Sequence, residues 1–61
     1  MQSFRIYVTN ITQALSVLQQ ANIHARNAGN CVEIHIDPQD QVKTISLLNS
    51  ARVVIYDIEA V

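Results

Sequence analysis

The chain carries the same pattern of apolar residues twice. Apolar and polar residues alternate around Ile6-Tyr7-Val8, and again 28 residues later around Ile34-His35-Ile36. Each alternation is followed by apolar residues at three-residue spacing, first at Leu15, Leu18 and Ala21 and then, 30 residues later, at Ile45, Leu48 and Ala51. A period of two is typical of a strand and the longer spacing of a helix. The sequence therefore predicts two strand–helix units in tandem.

The first unit reads as a strand over residues 3–9 followed by a helix over residues 10–22. The side chain of Asn10 can accept a hydrogen bond from the first turn of that helix, with Thr9 as the competing cap. Asn22 is expected to end the helix in the left-handed conformation, which asparagine tolerates. Residues 23–28 then read as a short edge strand with few large apolar residues.

The second unit begins after Gly29-Asn30, which suits a two-residue hairpin turn. A strand over residues 31–37 and a helix over residues 38–51 follow, with Asp37 as the cap and Pro38 in the first helical position. Residues 52–59 form the last strand. The buried face of that strand is ambiguous from the sequence, because one set of alternating residues competes with the other: Val53 and Ile55 against Val54, Tyr56 and Ile58.

These elements predict an α+β fold, the ferredoxin-like βαββαβ plait, as a single domain over residues 1–61. Right-handed crossovers place two helices on one face of a four-stranded antiparallel sheet in the order 4-1-3-2. A chain of 61 residues buries a thin core. Its composition, 49% hydrophobic and 15% charged, indicates apolar surface that meets another protein. We expect the domain to be excised from a larger protein.

The net charge, the short apolar runs and the cysteine count also argue against several classes of partner and site. A net charge of −1 argues against nucleic acid. No apolar run approaches the roughly 20 residues that span a bilayer, and the N-terminus lacks a signal peptide, so we expect a cytoplasmic protein with no direct membrane insertion. A single cysteine excludes an internal disulfide.

No catalytic, cofactor or metal site is predicted. One glycine is too few for a P-loop or a dinucleotide fingerprint. His24 and His35 fall on neighbouring strands and could bind a metal with Glu33, but solvated side chains on one face are the simpler interpretation. Cys31 reads as a small packing residue, since no basic neighbourhood or helix N-terminus is evident beside it. An acylphosphatase-like enzyme would need an anion-binding loop before the first helix, and none is present.

The open face of the predicted sheet is the most informative surface. A central tyrosine beside a last strand rich in valine, isoleucine and tyrosine makes a mixed patch suited to docking a protein. The alternative is an ordinary solvated sheet face. The candidate interface residues are Arg5, Tyr7, Glu33, His35, Val54 and Tyr56, with Arg26 on the same face.

The run Val8–Ile23, with its pattern x-Ala-Leu-x-x-Leu-x-x-Ala-x-Ile, resembles the C-terminal accessory domain of ABC-transporter ATP-binding subunits of the drug, bacitracin and lantibiotic export type. The paired leucines Leu47-Leu48 and the strand Val53–Glu59 are similar to that family as well. The family's closing Ser-Leu-Glu-(Glu/Asp)-Val-Phe helix would begin at Val61, where the sequence stops, and its nucleotide-binding core lies outside this segment.

The resemblance implies a non-catalytic, regulatory or dimer-contacting appendage of an antibiotic-export ATPase, associated with the membrane only through the parent transporter. Its partner would be a second copy or a parent transporter subunit. The alternative is a small-molecule sensor of the ACT type, which shares βαββαβ and binds amino acids. That family usually has a glycine-containing turn after the first strand, and Thr9–Thr12 has none.

Overall fold

The computed structural model describes residues 1–61, all of the chain. Four strands and two α-helices follow one another in the expected sequence, and a single 3₁₀ turn precedes the second helix. The elements are β1 (Gln2–Val8), α1 (Ile11–Gln20), β2 (Ala25–Asn27), β3 (Val32–Ile36), the 3₁₀ turn (Pro38–Asp40), α2 (Gln41–Ser50) and β4 (Ile55–Ala60). Neither helix is long and apolar enough to cross a membrane.

The strands form one antiparallel sheet in the order β2-β3-β1-β4, which is β4-β1-β3-β2 when read from the other edge. The predicted α+β class, with a four-stranded antiparallel sheet and two helices, is confirmed. From Phe4 onward in β1, and throughout β3, every second residue is buried, as the period of two requires. The buried set is Phe4, Ile6, Val8, Val32, Ile34 and Ile36.

The two helices pack against that one set of strand residues. Ala14 and Leu18 of α1 and Leu48 of α2 belong to the same buried cluster, together with Val53 before β4. The opposite side of the sheet carries no helix. We call it the open face; it presents the alternate residues of β1 and β3, Arg5, Tyr7, Glu33 and His35.

The internal repeat extends to the burial of each helix position. Residues 11–20 and 41–50 show the same order of buried, half-buried and exposed side chains. The fully buried pairs are Ala14 with Thr44 and Leu18 with Leu48, each 30 residues apart. The hydroxyl of Thr44 donates to the carbonyl of Asp40 at 2.9 Å. Because that bond satisfies the hydroxyl, a polar residue is tolerated where the first repeat has alanine.

The start of α1 confirms the predicted cap, because Oδ1 of Asn10 accepts from the N–H of Gln13 at 3.0 Å. The predicted start of the second helix at residue 38 is wrong in detail. Residues 38–40 form a 3₁₀ turn, closed by the Asp40 N–H on the Asp37 carbonyl at 2.9 Å, and the α-helix begins at Gln41. The side chain of Asp37 makes no capping hydrogen bond.

Both helices end in the same Schellman motif, in which a left-handed residue turns the chain away from the helix. Asn22 has a φ of 60° and Arg52 a φ of 64°. After α1, the Ile23 N–H donates to Leu18 O at 2.9 Å and the Asn22 N–H to Gln19 O at 3.1 Å. The same two bonds recur 30 residues later. The left-handed conformation was predicted for Asn22 and not for Arg52.

The Schellman motifs also explain why β2 and β4 start later than predicted. The N–H groups of Ile23 and Val53 are used by the helix ends, so strand pairing begins at Ala25 and Ile55 instead of residues 23 and 52. The β2–β3 hairpin has the predicted two-residue turn. Ala28 N–H donates to Cys31 O at 2.9 Å across the turn, and Gly29 has a φ of 98°.

A β-bulge in β4 explains its ambiguous pattern. Ile58 pairs with Ile6 and Ile55 pairs with Val8, so a three-residue step in β4 lies opposite a two-residue step in β1. The extra residue shifts the alternation by one position. Ile55 and Ile58, which the sequence assigned to opposite faces, therefore both pack against the core.

Candidate interaction surface

The aromatic part of the open face is a pair of tyrosines, one from β1 and one from the edge strand β4. The rings of Tyr7 and Tyr56 have centroids 6.3 Å apart and are tilted by 45°. This separation lies in the range of favourable aromatic pairs. Tyr7 is half-buried, whereas Tyr56 is 65% exposed. The pair presents aromatic surface to solvent, and neither tyrosine is part of the buried core.

Cys31 is buried beside this pair and not in the main core. It is 1% exposed, yet it is absent from the cluster that joins the helices to the sheet. The β1–β3 pairing matches Ile6 with Val32, so the next position matches Tyr7 with Cys31. The predicted packing role therefore applies to the open side of the sheet. The thiol is free.

Tyr7 is held by a carboxylate from the neighbouring strand. Its hydroxyl donates to Oε1 of Glu59 at 3.3 Å. Desolvation raises the pKa of Tyr7, and the nearby Glu59 carboxylate raises that pKa further, while Arg5 lowers it in part. The phenol is therefore neutral at physiological pH and keeps the proton that it donates to Glu59.

Charged and polar pairs surround the tyrosines. Nη1 of Arg5 lies 3.5 Å from Oε1 of Glu59, and both side chains are about half exposed. Arg26 of β2 forms an ion pair with Glu33 of β3, directly opposite it in the strand register. An exposed pair such as Arg5–Glu59 contributes about 0–1 kcal/mol to stability. The main effect of the two ion pairs is to hold oppositely charged side chains next to each other at each side of the open face.

Five of the six candidate interface residues lie on the open face: Arg5, Tyr7, Glu33 and His35 by strand alternation, and Tyr56 by the pairing of its ring with Tyr7. Val54 is 58% exposed and precedes β4, next to the buried Val53. His35 is exposed, and its Nδ1 is hydrogen-bonded to Oγ of Ser3 at 2.9 Å. Whether these residues dock a partner stays a prediction.

Sequence reasoning missed two residues of this surface. Glu59 contacts both Arg5 and Tyr7, and Cys31 lies opposite Tyr7 when the β1–β3 register is continued by one residue. The alternation of Asp57 and Glu59 in the last strand was the available signal for Glu59. It was obscured because the bulge reverses the facing of the residues before it.

A groove of about 630 Å³ lies between α2 and the end of β3. Its lining is mixed, with the ionisable side chains of His24, Asp37, Asp40 and Lys43 beside the apolar Leu47. His24 and His35 are joined by a backbone hydrogen bond of 3.1 Å, so the predicted proximity of these strands is confirmed. No group of three or more His, Cys, Asp or Glu side chains is placed to hold a metal ion.

No protein-family model, no curated protein and no solved structure matches this chain. The basis for a functional proposal is therefore the chemistry of the open face and of the groove.

Proposed function

We propose that the chain is a non-catalytic protein-interaction domain that works by contact through its open face, and that its partner is a second copy of the same chain. The observation that carries the proposal is the exposed tyrosine pair, Tyr7 and Tyr56, flanked by the exposed Val54. Aromatic residues are enriched at the centres of protein interfaces, with polar residues around them. The ion pairs at the sides of the open face supply such a rim.

The charges of the face favour self-association. A two-fold interface sets a surface against itself, so each charge must find its opposite on the same patch. Arg5 and Arg26 supply two positive charges, and Glu33 and Glu59 supply two negative ones. The net charge of −1 adds little repulsion between copies.

The size of the face sets the expected strength of the dimer. The four strands are 7, 3, 5 and 6 residues long. With about 3.4 Å per residue and about 4.8 Å between strands, the face covers about 340 Å² on each copy. Two copies then bury about 700 Å², below the roughly 1,200–2,000 Å² of stable interfaces. We therefore expect a weak dimer, with a dissociation constant in the micromolar range or above.

The test is sedimentation velocity from about 10 µM to about 1 mM, a range chosen to span such a constant. The variants are Tyr56→Glu, at an exposed position of β4, and Tyr7→Glu on the neighbouring strand β1. Val42→Glu on α2 is the matched control, because Val42 is 75% exposed and away from the sheet. Wild type and control should gain mass with concentration, and both tyrosine variants should stay monomeric. A wild type that stays monomeric throughout, or a control that loses association, would contradict the proposal.

We further propose that this domain is a ferredoxin-like plait and the cytoplasmic C-terminal accessory domain of an export-type ABC ATPase subunit. The support is the resemblance over Val8–Ile23 and Val53–Glu59, together with the two repeated strand–helix units. Pairing of two such domains would bring two ATPase subunits together. In a complete parent subunit, Tyr56→Glu should weaken subunit pairing and leave nucleotide binding unchanged. Loss of nucleotide binding, or unchanged pairing, would argue against this assignment.

The groove beside α2 favours a second candidate, an ACT-like amino-acid sensor. Lys43 and Asp40 offer opposite charges to the carboxylate and ammonium groups of an amino acid. Thermal melting with a panel of amino acids tests it, with Asp40→Asn as the binding-deficient variant. A rise in Tm with one amino acid, lost in the variant, would support sensing. Unchanged melting across the panel would exclude it.

A further inference from the structure

The sheet has two free edges of unequal length. β2 offers three residues and β4 offers six. A free edge presents unpaired N–H and C=O groups, which can add a strand from another chain. β4 is therefore the edge on which uncontrolled association between copies would occur.

The hydrogen bonds at the end of β4 identify which of its groups are free. Val61 N–H donates to Ser3 O at 2.9 Å. In an antiparallel pair such bonds occur at every second residue, so Asp57 and Glu59 also bond towards β1. The backbone groups of Ile58 and Ala60 consequently face the free edge.

One of these edge-facing N–H groups, that of Ile58, already has a side-chain partner. Oδ1 of Asp57 accepts from the N–H of Ile58 at 2.9 Å. On the other side of Asp57, the bulge between the Tyr7 and Val8 pairings interrupts the regular edge. The regular edge thus retains only one free N–H between the bulge and Val61, that of Ala60.

We propose that Asp57 guards the β4 edge and prevents a second copy from pairing with it. The carboxylate takes the donor that an incoming strand would need. It also places negative charge where that strand would bring a carbonyl oxygen, which is repulsive. Bulges and charges on edge strands are known devices for blocking such pairing. Blocking of the β4 edge is distinct from association through the open face, although Asp57 is the register partner of Tyr7. The block holds whichever surface the domain uses for its function.

Amide hydrogen exchange in the wild-type protein is the first test, because it needs no mutation. Ile58 and Ala60 both face the edge, but only Ile58 has a side-chain partner. The Ile58 amide should exchange about fivefold more slowly than that of Ala60 after correction for intrinsic rates, the factor one net hydrogen bond gives. Equal exchange of the two amides would overturn the proposal that Asp57 blocks the β4 edge.

Asp57→Ala is the second test, with Asp57→Asn and Asp37→Ala as controls. The asparagine variant keeps an acceptor oxygen, and Asp37→Ala removes the same charge where the side chain makes no capping bond. Sedimentation should show larger oligomers for Asp57→Ala alone, with new protection at Ala60. Oligomers formed equally by Asp37→Ala would assign the effect to charge, and none in Asp57→Ala would contradict the guard.

A Tyr7→Glu background separates this proposal from association through the open face. Tyr7 lies on the face and not at the edge, so edge-paired oligomers of Asp57→Ala should persist in the double variant. If they disappear, the edge is not the contact and the guard is refuted, whereas the open-face proposal is supported. If they persist while wild type stays monomeric, the guard stands and the open-face proposal fails.

Discussion

Replacing Arg52 with glycine should stabilise the fold. Arg52 ends α2 with a φ of 64°, a region where the Cβ of an ordinary residue is crowded by the backbone. The conformation is imposed by two hydrogen bonds, Arg52 N–H to Asn49 O and Val53 N–H to Leu48 O, both 3.0 Å. The side chain is exposed and forms no salt bridge in the structure. Its removal therefore deletes no stabilising contact.

The expected gain is the difference between two terms. A left-handed conformation costs an L-residue about 1–2 kcal/mol, which glycine avoids. Glycine adds about 0.5–1 kcal/mol of unfolded-state freedom that folding must remove. The net gain is about 0.5–1 kcal/mol. For a domain this small it corresponds to a rise in Tm of about 4–8 °C.

Urea denaturation measures the gain, and the internal repeat supplies a matched control. Asn22 occupies the equivalent position after α1 with a φ of 60°. Asparagine tolerates this region, so Asn22→Gly should gain less than Arg52→Gly. Arg52→Ala is the second control, because it removes the charge and keeps the Cβ; it should give no gain. The urea midpoint should change and the m-value should not.

Two results would refute the reasoning. If Arg52→Ala stabilises as much as Arg52→Gly, the arginine side chain and not the backbone conformation is unfavourable. If Asn22→Gly gains as much as Arg52→Gly, residue-specific strain does not distinguish the two helix ends.

Three further predictions concern the core and the tyrosine pair. Leu18→Ala and Leu48→Ala should each lower the free energy of unfolding, measured by urea denaturation, by about 2–5 kcal/mol. The two losses should be similar because the two sites are equivalent in the repeat, and very different losses would argue against that equivalence. Cys31 should react with a thiol reagent only as fast as the protein opens, because it is buried; rapid labelling of the folded state would contradict its placement. Since the pKa of Tyr7 is raised in the fold, its contribution to stability is intact below pH 10.0 and is lost as the pH rises through that raised pKa. Tyr7→Phe should remove this alkaline loss, and absorbance titration of Tyr56→Phe isolates the Tyr7 phenolate.

Much of the fold was predictable because its signals are local. The buried residues of β1 follow from strict alternation, and the start of α1 follows from Asn10, whose side chain caps as expected. The hairpin turn follows from the only glycine, Gly29. Each of these depends on a few neighbouring residues and on elementary stereochemistry.

The features that were not predicted depend on distant parts of the chain. The left-handed Arg52 has no signal of its own and is imposed by the packing of Leu48 and Val53 in the core. The bulge in β4 exists only relative to β1, so Ile55 and Ile58 looked incompatible in the sequence. The candidate surface shared this problem, since the facing of Glu59 depends on the same bulge.

Dilution followed by NMR tests the central claim, contact through the open face, most directly. Amide spectra recorded from about 1 mM down to about 10 µM span the expected dissociation constant. Resonances of Arg5, Tyr7 and His35 should shift with concentration, while those of Gln13 and Ser46 on the outer sides of the helices should not. Shifts confined to the helices, or none at any concentration, would contradict the claim that this face binds a second copy.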